Sequence, residues 1–94
     1  MSDYFHTESW KIIAQNDLPF LPTPHEVYEA AFTYLDTIFP LNHRRMIDLG
    51  AGDGRVIIHA AEKYVMITVG IEINLELIST AQAHIKDKKL EHKC

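Results

Sequence analysis

The chain has 94 residues, with nine basic and thirteen acidic side chains and a net charge of −4, which allows one small domain burying about 60–65% of its unfolded surface. Hydrophobic residues at 47% and charged residues at 23% exclude disordered, collagen-like and low-complexity classes, and no apolar run is long enough for a membrane span. The acidic balance and the lack of a basic stripe argue against a domain that grips nucleic acid through its phosphates.

Residues 1–22 have no clean period but carry Tyr4, Phe5, Trp10 and Phe20, and are read as an aromatic-rich arm preceding a domain over 23–94. Asp3, Glu8 and Asp17, with no apolar stretch between them, leave no secretory signal in this reading. Thr23-Pro24-His25-Glu26 reads as a helix start, with Thr23 as N-cap, Pro24 at the first helical position and Glu26 completing a capping box. Val27, Ala30, Ala31, Tyr34, Leu35 and Ile38 recur at helical spacing and predict one apolar face. Pro40 forces Phe39 out of helical geometry and ends the helix.

Met46 to Leu49 predicts a short strand running into Gly50-Ala51-Gly52-Asp53-Gly54, and Arg55 to Tyr64 a helix burying Ile57, Ala60, Ala61 and Tyr64. Val65 to Ile71 is apolar almost throughout, as expected of a strand covered on both faces of a parallel sheet. Asn74 should cap a last helix that buries Ile78, Ala81 and Ile85. Lys86, Lys88, Lys89 and Lys93 read as its solvated, dipole-favoured end. The order is that of a Rossmann-like βαβα unit preceded by an amphipathic helix, an α/β fold.

Three glycines within five residues, after a strand and before a helix, allow close approach of a ligand, with helix-start N–H groups expected to face it. Glu72, eighteen residues beyond Gly54, can reach the same crevice and accept hydrogen bonds from both hydroxyls of a ribose. Arg55 stands where the dinucleotide fingerprint needs its third glycine, and no Gly-Lys-Ser/Thr follows, so a P-loop is excluded. Asp48 and Asp53 would repel a pyrophosphate but not a ligand bearing ammonium and sulfonium groups. S-adenosylmethionine fits these constraints best. The six histidines show no paired metal spacing, so no metal is expected, and the single Cys94 builds no disulfide framework, which points to a cytoplasmic setting. Half-way along its helix, His59 reads as a surface residue.

Met46-Ile47-Asp48-Leu49-Gly50-Ala51-Gly52-Asp53-Gly54-Arg55 resembles the first motif of class I S-adenosylmethionine-dependent methyltransferases, and Val69-Gly70-Ile71-Glu72-Ile73-Asn74 resembles their second. With Pro19-Phe20-Leu21-Pro22-Thr23-Pro24 ahead of an amphipathic helix, the pattern is similar to small archaeal and mitochondrial-type protein lysine methyltransferases. The resemblance implies that Gly50, Ala51 and Gly52 line the methionine part of the cofactor, with Asp48 near its ammonium. Glu72 would hold the ribose, Ile73 would pack near the adenine, and Thr23 would close over the carboxylate end. Asp53 is a cofactor contact or a stabiliser of the loop, and Thr23 is a cofactor contact or only a cap.

The same resemblance implies a seven-stranded sheet of which this chain supplies the first two strands. Adenine-side and catalytic residues would then lie beyond residue 94, and the chain alone would be inactive. The expected acceptor is a protein lysine, with a small molecule or RNA base as alternatives. A non-catalytic assembly module is the rival from another class. An unpaired sheet edge would favour self-association or a partner chain.

Overall fold

A computed structural model describes residues 20–94. Most of the aromatic arm expected over 1–22, up to residue 19, therefore lies outside the described residues. The element order is α1 (His25–Ile38), β1 (Arg45–Leu49), α2 (Arg55–Tyr64), β2 (Ile67–Ile71) and α3 (Leu75–Asp87). The two strands pair in parallel, Asp48 opposite Gly70 and Leu49 opposite Ile71. The expected βαβα unit with a preceding helix is present.

Local signals set most of the helix ends. Phe39 is extended (φ −153°, ψ 145°), as the following proline demands. Asn74 caps α3, its Oδ1 accepting from Glu76 N at 3.0 Å and Leu77 N at 3.1 Å, which satisfies two of the orphan donors of the first turn. At α1 the expected cap is displaced. Pro24, not Thr23, occupies the N-cap, at φ −59° and ψ 145°, and no side chain caps the helix. The proline ring fixes φ but leaves ψ extended, so the helix begins one residue later and the Thr23 hydroxyl falls outside its first turn.

The helices all pack on one side of the sheet. α1 buries Phe32, with Tyr28 and Leu35 half-buried beside it, against Ala60, Tyr64, Met66 and Leu41. The stripe expected to be buried, through Val27, Tyr34 and Ile38, is instead exposed. α1 carries two apolar faces about 100° apart, and α2 takes the one bearing the large ring of Phe32. On α2, Ile57, Ala60, Ala61 and Tyr64 are buried as expected, and Ile58 and Ala61 pack with Leu90 and Ile85. Ala81 is the buried residue of α3. Lys88 pairs with Glu62 across the surface, Nζ to Oε2 3.2 Å.

The second strand also departs from expectation. Val65 is the C-cap of α2, in the left-handed region at φ 54°, a conformation that β-branched residues rarely adopt. The strand begins only at Ile67. It is covered on one face: Thr68 is buried on the helix side, while Ile67, Val69 and Ile71 on the other are half exposed, and Ile47 and Leu49 of β1 are more exposed still. Among the described residues nothing covers that face, and the sheet has two strands.

His59 is half-buried rather than superficial. Its ring lies edge-on to His25 and Tyr28, at 5.6 and 5.1 Å, and tilted to Phe32 at 5.6 Å, and its buried Nε2 has no partner. Burial foremost, then Lys63 and His25, hold its pKa below the ordinary histidine value, against weaker opposing pulls from Glu29 and Glu62. The folded state therefore binds fewer protons than the unfolded one between the lowered value and about 6.5, so stability rises with pH across that window and is lost as pH falls through it. His59→Phe should flatten this dependence. In thermal melts its Tm advantage over wild type should widen from about pH 7.5 to about pH 5.5, and a constant difference would contradict the assignment.

Candidate functional site

The glycine turn is stapled to the end of β2. Gly50 N and Ala51 N both donate to Ile71 O, at 2.7 and 2.9 Å, and Gly54 N donates to Ala51 O at 3.0 Å. Gly50, Gly52 and Gly54 all have positive φ, at 79°, 58° and 84°, which explains glycine at these points of the loop. A Cβ on Gly52 would lie 2.5 Å from the Phe20 ring, so the chain ahead of α1 folds directly over the loop.

Glu72, just past β2, is held at both oxygens: Oε1 accepts from Gly52 N at 2.8 Å and Oε2 from Asn74 N at 3.0 Å. A carboxylate has about four lone-pair sites, so acceptor capacity remains on each oxygen. The loop thus differs from the expected array of free N–H groups. The N–H groups of residues 50, 51, 52 and 54 all have protein acceptors. Such a loop is poorly equipped to cradle a phosphate, which needs several free backbone donors, and its ligand contacts must come from shape and from carboxylates.

Asp53 forms a bidentate pair with Arg55, Oδ2 to Nη2 2.7 Å and Oδ1 to Nε 3.1 Å, and Oδ1 also accepts from Arg55 N at 3.3 Å. The hydrogen bonds from Arg55 hold its carboxyl below the usual carboxylate range. These bonds fit its role as a stabiliser of the loop and of the first turn of α2.

Asp48, the residue before the end of β1, lies on the helix side of the sheet. Burial, and secondly the negative charge of Glu72, raise its pKa. Its ionised form is strained by its surroundings, and a cationic group beside it would relieve the strain. Two opposed effects follow for Asp48→Asn. The folded state binds more protons than the unfolded one between the ordinary and raised values, so ionised Asp48 costs stability at neutral pH, and the variant should melt higher. It should also bind a ligand carrying an ammonium group about 10- to 100-fold more weakly, the value of one hydrogen bond to a charged partner. Parallel melts and calorimetry check both signs; a variant that melts lower, or binds unchanged, contradicts them.

Two cavities flank the loop. One of about 380 Å³ brings together Thr23, Asp48, Gly50, Ala51 and Asp53, with Phe20 and Tyr28 among its walls. The other, of about 370 Å³, is bordered by Ala51, Gly52 and Glu72 and walled by Ile78 and Gln82. Seven of the eight expected site residues line one or both cavities. Ile73 lines neither and is 84% exposed, because the chain turns outward after Glu72 to start α3. Phe20, Tyr28 and Gln82 carried no assigned role in sequence. Phe20 had a signal in its Pro-Phe-Leu-Pro setting, whereas Tyr28 and Gln82 gave none. Among the described residues no group of three or more His, Cys, Asp or Glu side chains could hold a metal ion, and no helix is long and apolar enough to cross a membrane.

No protein-family model matches the chain. It is 42% identical over 74 residues to a protein-lysine N-methyltransferase of Saccharolobus islandicus (strain REY15A), over 73% of this chain and 42% of that protein. In structure it is similar to an RNA methyltransferase from Salinibacter ruber in complex with S-adenosyl-L-homocysteine, with a TM-score of 0.66 and 30% identity, over 78% of this chain and 46% of the other. The chain thus spans less than half the length of either relative. Sequence and fold together place it among the class I S-adenosylmethionine-dependent methyltransferases, as a partial Rossmann-like unit of their fold.

Proposed function

We propose that these residues form the S-adenosylmethionine-binding portion of a methyltransferase acting on protein lysine. The observation that carries the reading is Glu72, fixed at the carboxyl ends of two parallel strands by backbone donors on both oxygens and left able to accept a vicinal diol. The residues present fit the cofactor. Glu72 would take the ribose hydroxyls, and Asp48 the ammonium, whose charge its own raised pKa calls for. Gly50, Ala51 and Gly52 would line the methionine part, Thr23 its carboxylate end, and Ile73 the adenine side. Asp53 would act on the cofactor through the loop it braces. When bound, the cofactor supplies an electrophilic methyl group for transfer to a nucleophile.

The chain's own contribution is to fix one reactant and to reserve an electrically matched seat for the ammonium, in a cavity that Phe20 and Tyr28 help to line. A lysine acceptor is supported by the name of the Saccharolobus relative and by the net charge of −4, which favours a cationic side chain over RNA. A cytoplasmic setting accords with the single cysteine. The test is a calorimetric titration of the chain with S-adenosylhomocysteine and, separately, with NAD. Saturable binding of the first alone is expected, and equal or stronger binding of NAD overturns the reading.

A second reading, an assembly module, is favoured by the uncovered sheet face, where Ile47 and Leu49 are 66% and 76% exposed. Apolar patches of this kind and open strand edges promote association. Sedimentation over a range of concentrations tests it, and a monomer throughout would count against self-association.

A further inference from the structure

We propose that Asn74 is a positioning residue that sets the sugar selectivity of the site, by orienting the Glu72 carboxylate for two adjacent hydroxyls. The inference rests on the cofactor reading above. A carboxylate anchored at one oxygen can turn about its last torsion, which has a broad minimum. Glu72 is anchored at both, by Gly52 N on Oε1 and Asn74 N on Oε2, so its plane is fixed and each oxygen presents its remaining acceptor capacity outward. A ribose can engage both oxygens, a deoxyribose only one.

Asn74 is suited to hold this orientation because its own backbone is held. Its Oδ1 accepts from Glu76 N and Leu77 N, locking φ at −85° and ψ at 113°. Side-chain capping alone accounts for the two bonds that run forward into α3. It does not account for the backbone N–H that points back to Glu72. Through this residue the start of α3, the acid and, by way of Gly52, the glycine loop form one hydrogen-bonded unit.

The chain would be titrated with S-adenosylhomocysteine and with its 2′-deoxy counterpart, in wild type and in Asn74→Ser, Asn74→Ala and Asn74→Pro. Serine keeps both the cap and the N–H; alanine loses the cap; proline, compatible with φ −85°, loses both. Wild type should prefer the ribose ligand at least about tenfold, the value of one hydrogen bond to a charged acceptor. Serine should retain that ratio, alanine lower it, and proline bring it close to one.

A purely structural role would weaken both ligands alike and leave the ratio unchanged, so an unchanged ratio in the alanine and proline variants overturns the proposal. Should circular dichroism show the proline variant unfolded, the alanine ratio decides, and a wild-type value there overturns it. Absence of saturable binding by wild type overturns the cofactor reading and this proposal with it, whereas a wild-type ratio of one, with binding intact, overturns the proposal alone.

Discussion

Glu72→Ala is expected to lower S-adenosylhomocysteine affinity by at least about 100-fold, while the chain stays folded. Each hydrogen bond from a sugar hydroxyl to an ionised carboxylate contributes about 1.5–3 kcal/mol, and two are lost, where each 1.4 kcal/mol is tenfold. The fold tolerates the change because Glu72 is only half-buried and packs no core cluster; water can satisfy the released Gly52 and Asn74 N–H groups.

Glutamine is not a mild substitute at this position. Two N–H donors face the two carboxylate oxygens, and an amide would set its NH2 group against one of them. Glu72→Gln should therefore bind nearly as poorly as alanine. Removing the charge also removes one cause of the raised Asp48 pKa, so both variants should lower the Asp48 titration in a carboxyl-detected NMR experiment. Calorimetry showing either variant within tenfold of wild type would sink the assignment of Glu72 to the ligand.

Gly54→Ala is expected to have the largest effect on stability, a loss of about 2–5 kcal/mol. Gly54 is the N-cap of α2 at φ 84°, where a side chain costs about 1–2 kcal/mol. A Cβ there would also lie 3.0 Å from the Ala81 Cβ, which no side-chain rotation can move, so α3 must give by a few tenths of an ångström. Overpacking of this kind adds about 1–3 kcal/mol. Ala81→Gly in the same chain should recover only the packing share, since the φ penalty is intrinsic to position 54. Urea melts of the single and double variants separate the two terms. Full recovery by the second change would show that the backbone term had been misjudged.

The elements legible in the sequence share a physical character: each is fixed by interactions within a few residues. Pro40 ends α1 through a clash with its immediate neighbour, Asn74 starts α3 by bonding two amides within three residues, and Gly50, Gly52 and Gly54 mark conformations that other residues avoid. That Glu72 reaches the glycine turn was legible too, because a parallel strand ending beside that turn carries the residue after it to the loop.

Features that only the folded chain revealed depend on partners far apart in sequence. Which apolar face of α1 is buried was decided by α2, whose Ala60 and Tyr64 accept Phe32. Val65 leaves the strand because the C-cap of α2 requires a left-handed residue there, against its own preference. His59 lost its solvent to the rings of α1, although its position on α2 gave no hint of it. The loop amides read as free donors are taken up by Ile71 O, Ala51 O and Glu72, a competition invisible without the register of β1 on β2. The sequence by itself determined the element order, the glycine turn and the acid that faces it, because these follow from local backbone preference and chain direction. The tertiary structure alone decided which donors and faces remain available to a ligand, because availability is what packing leaves over.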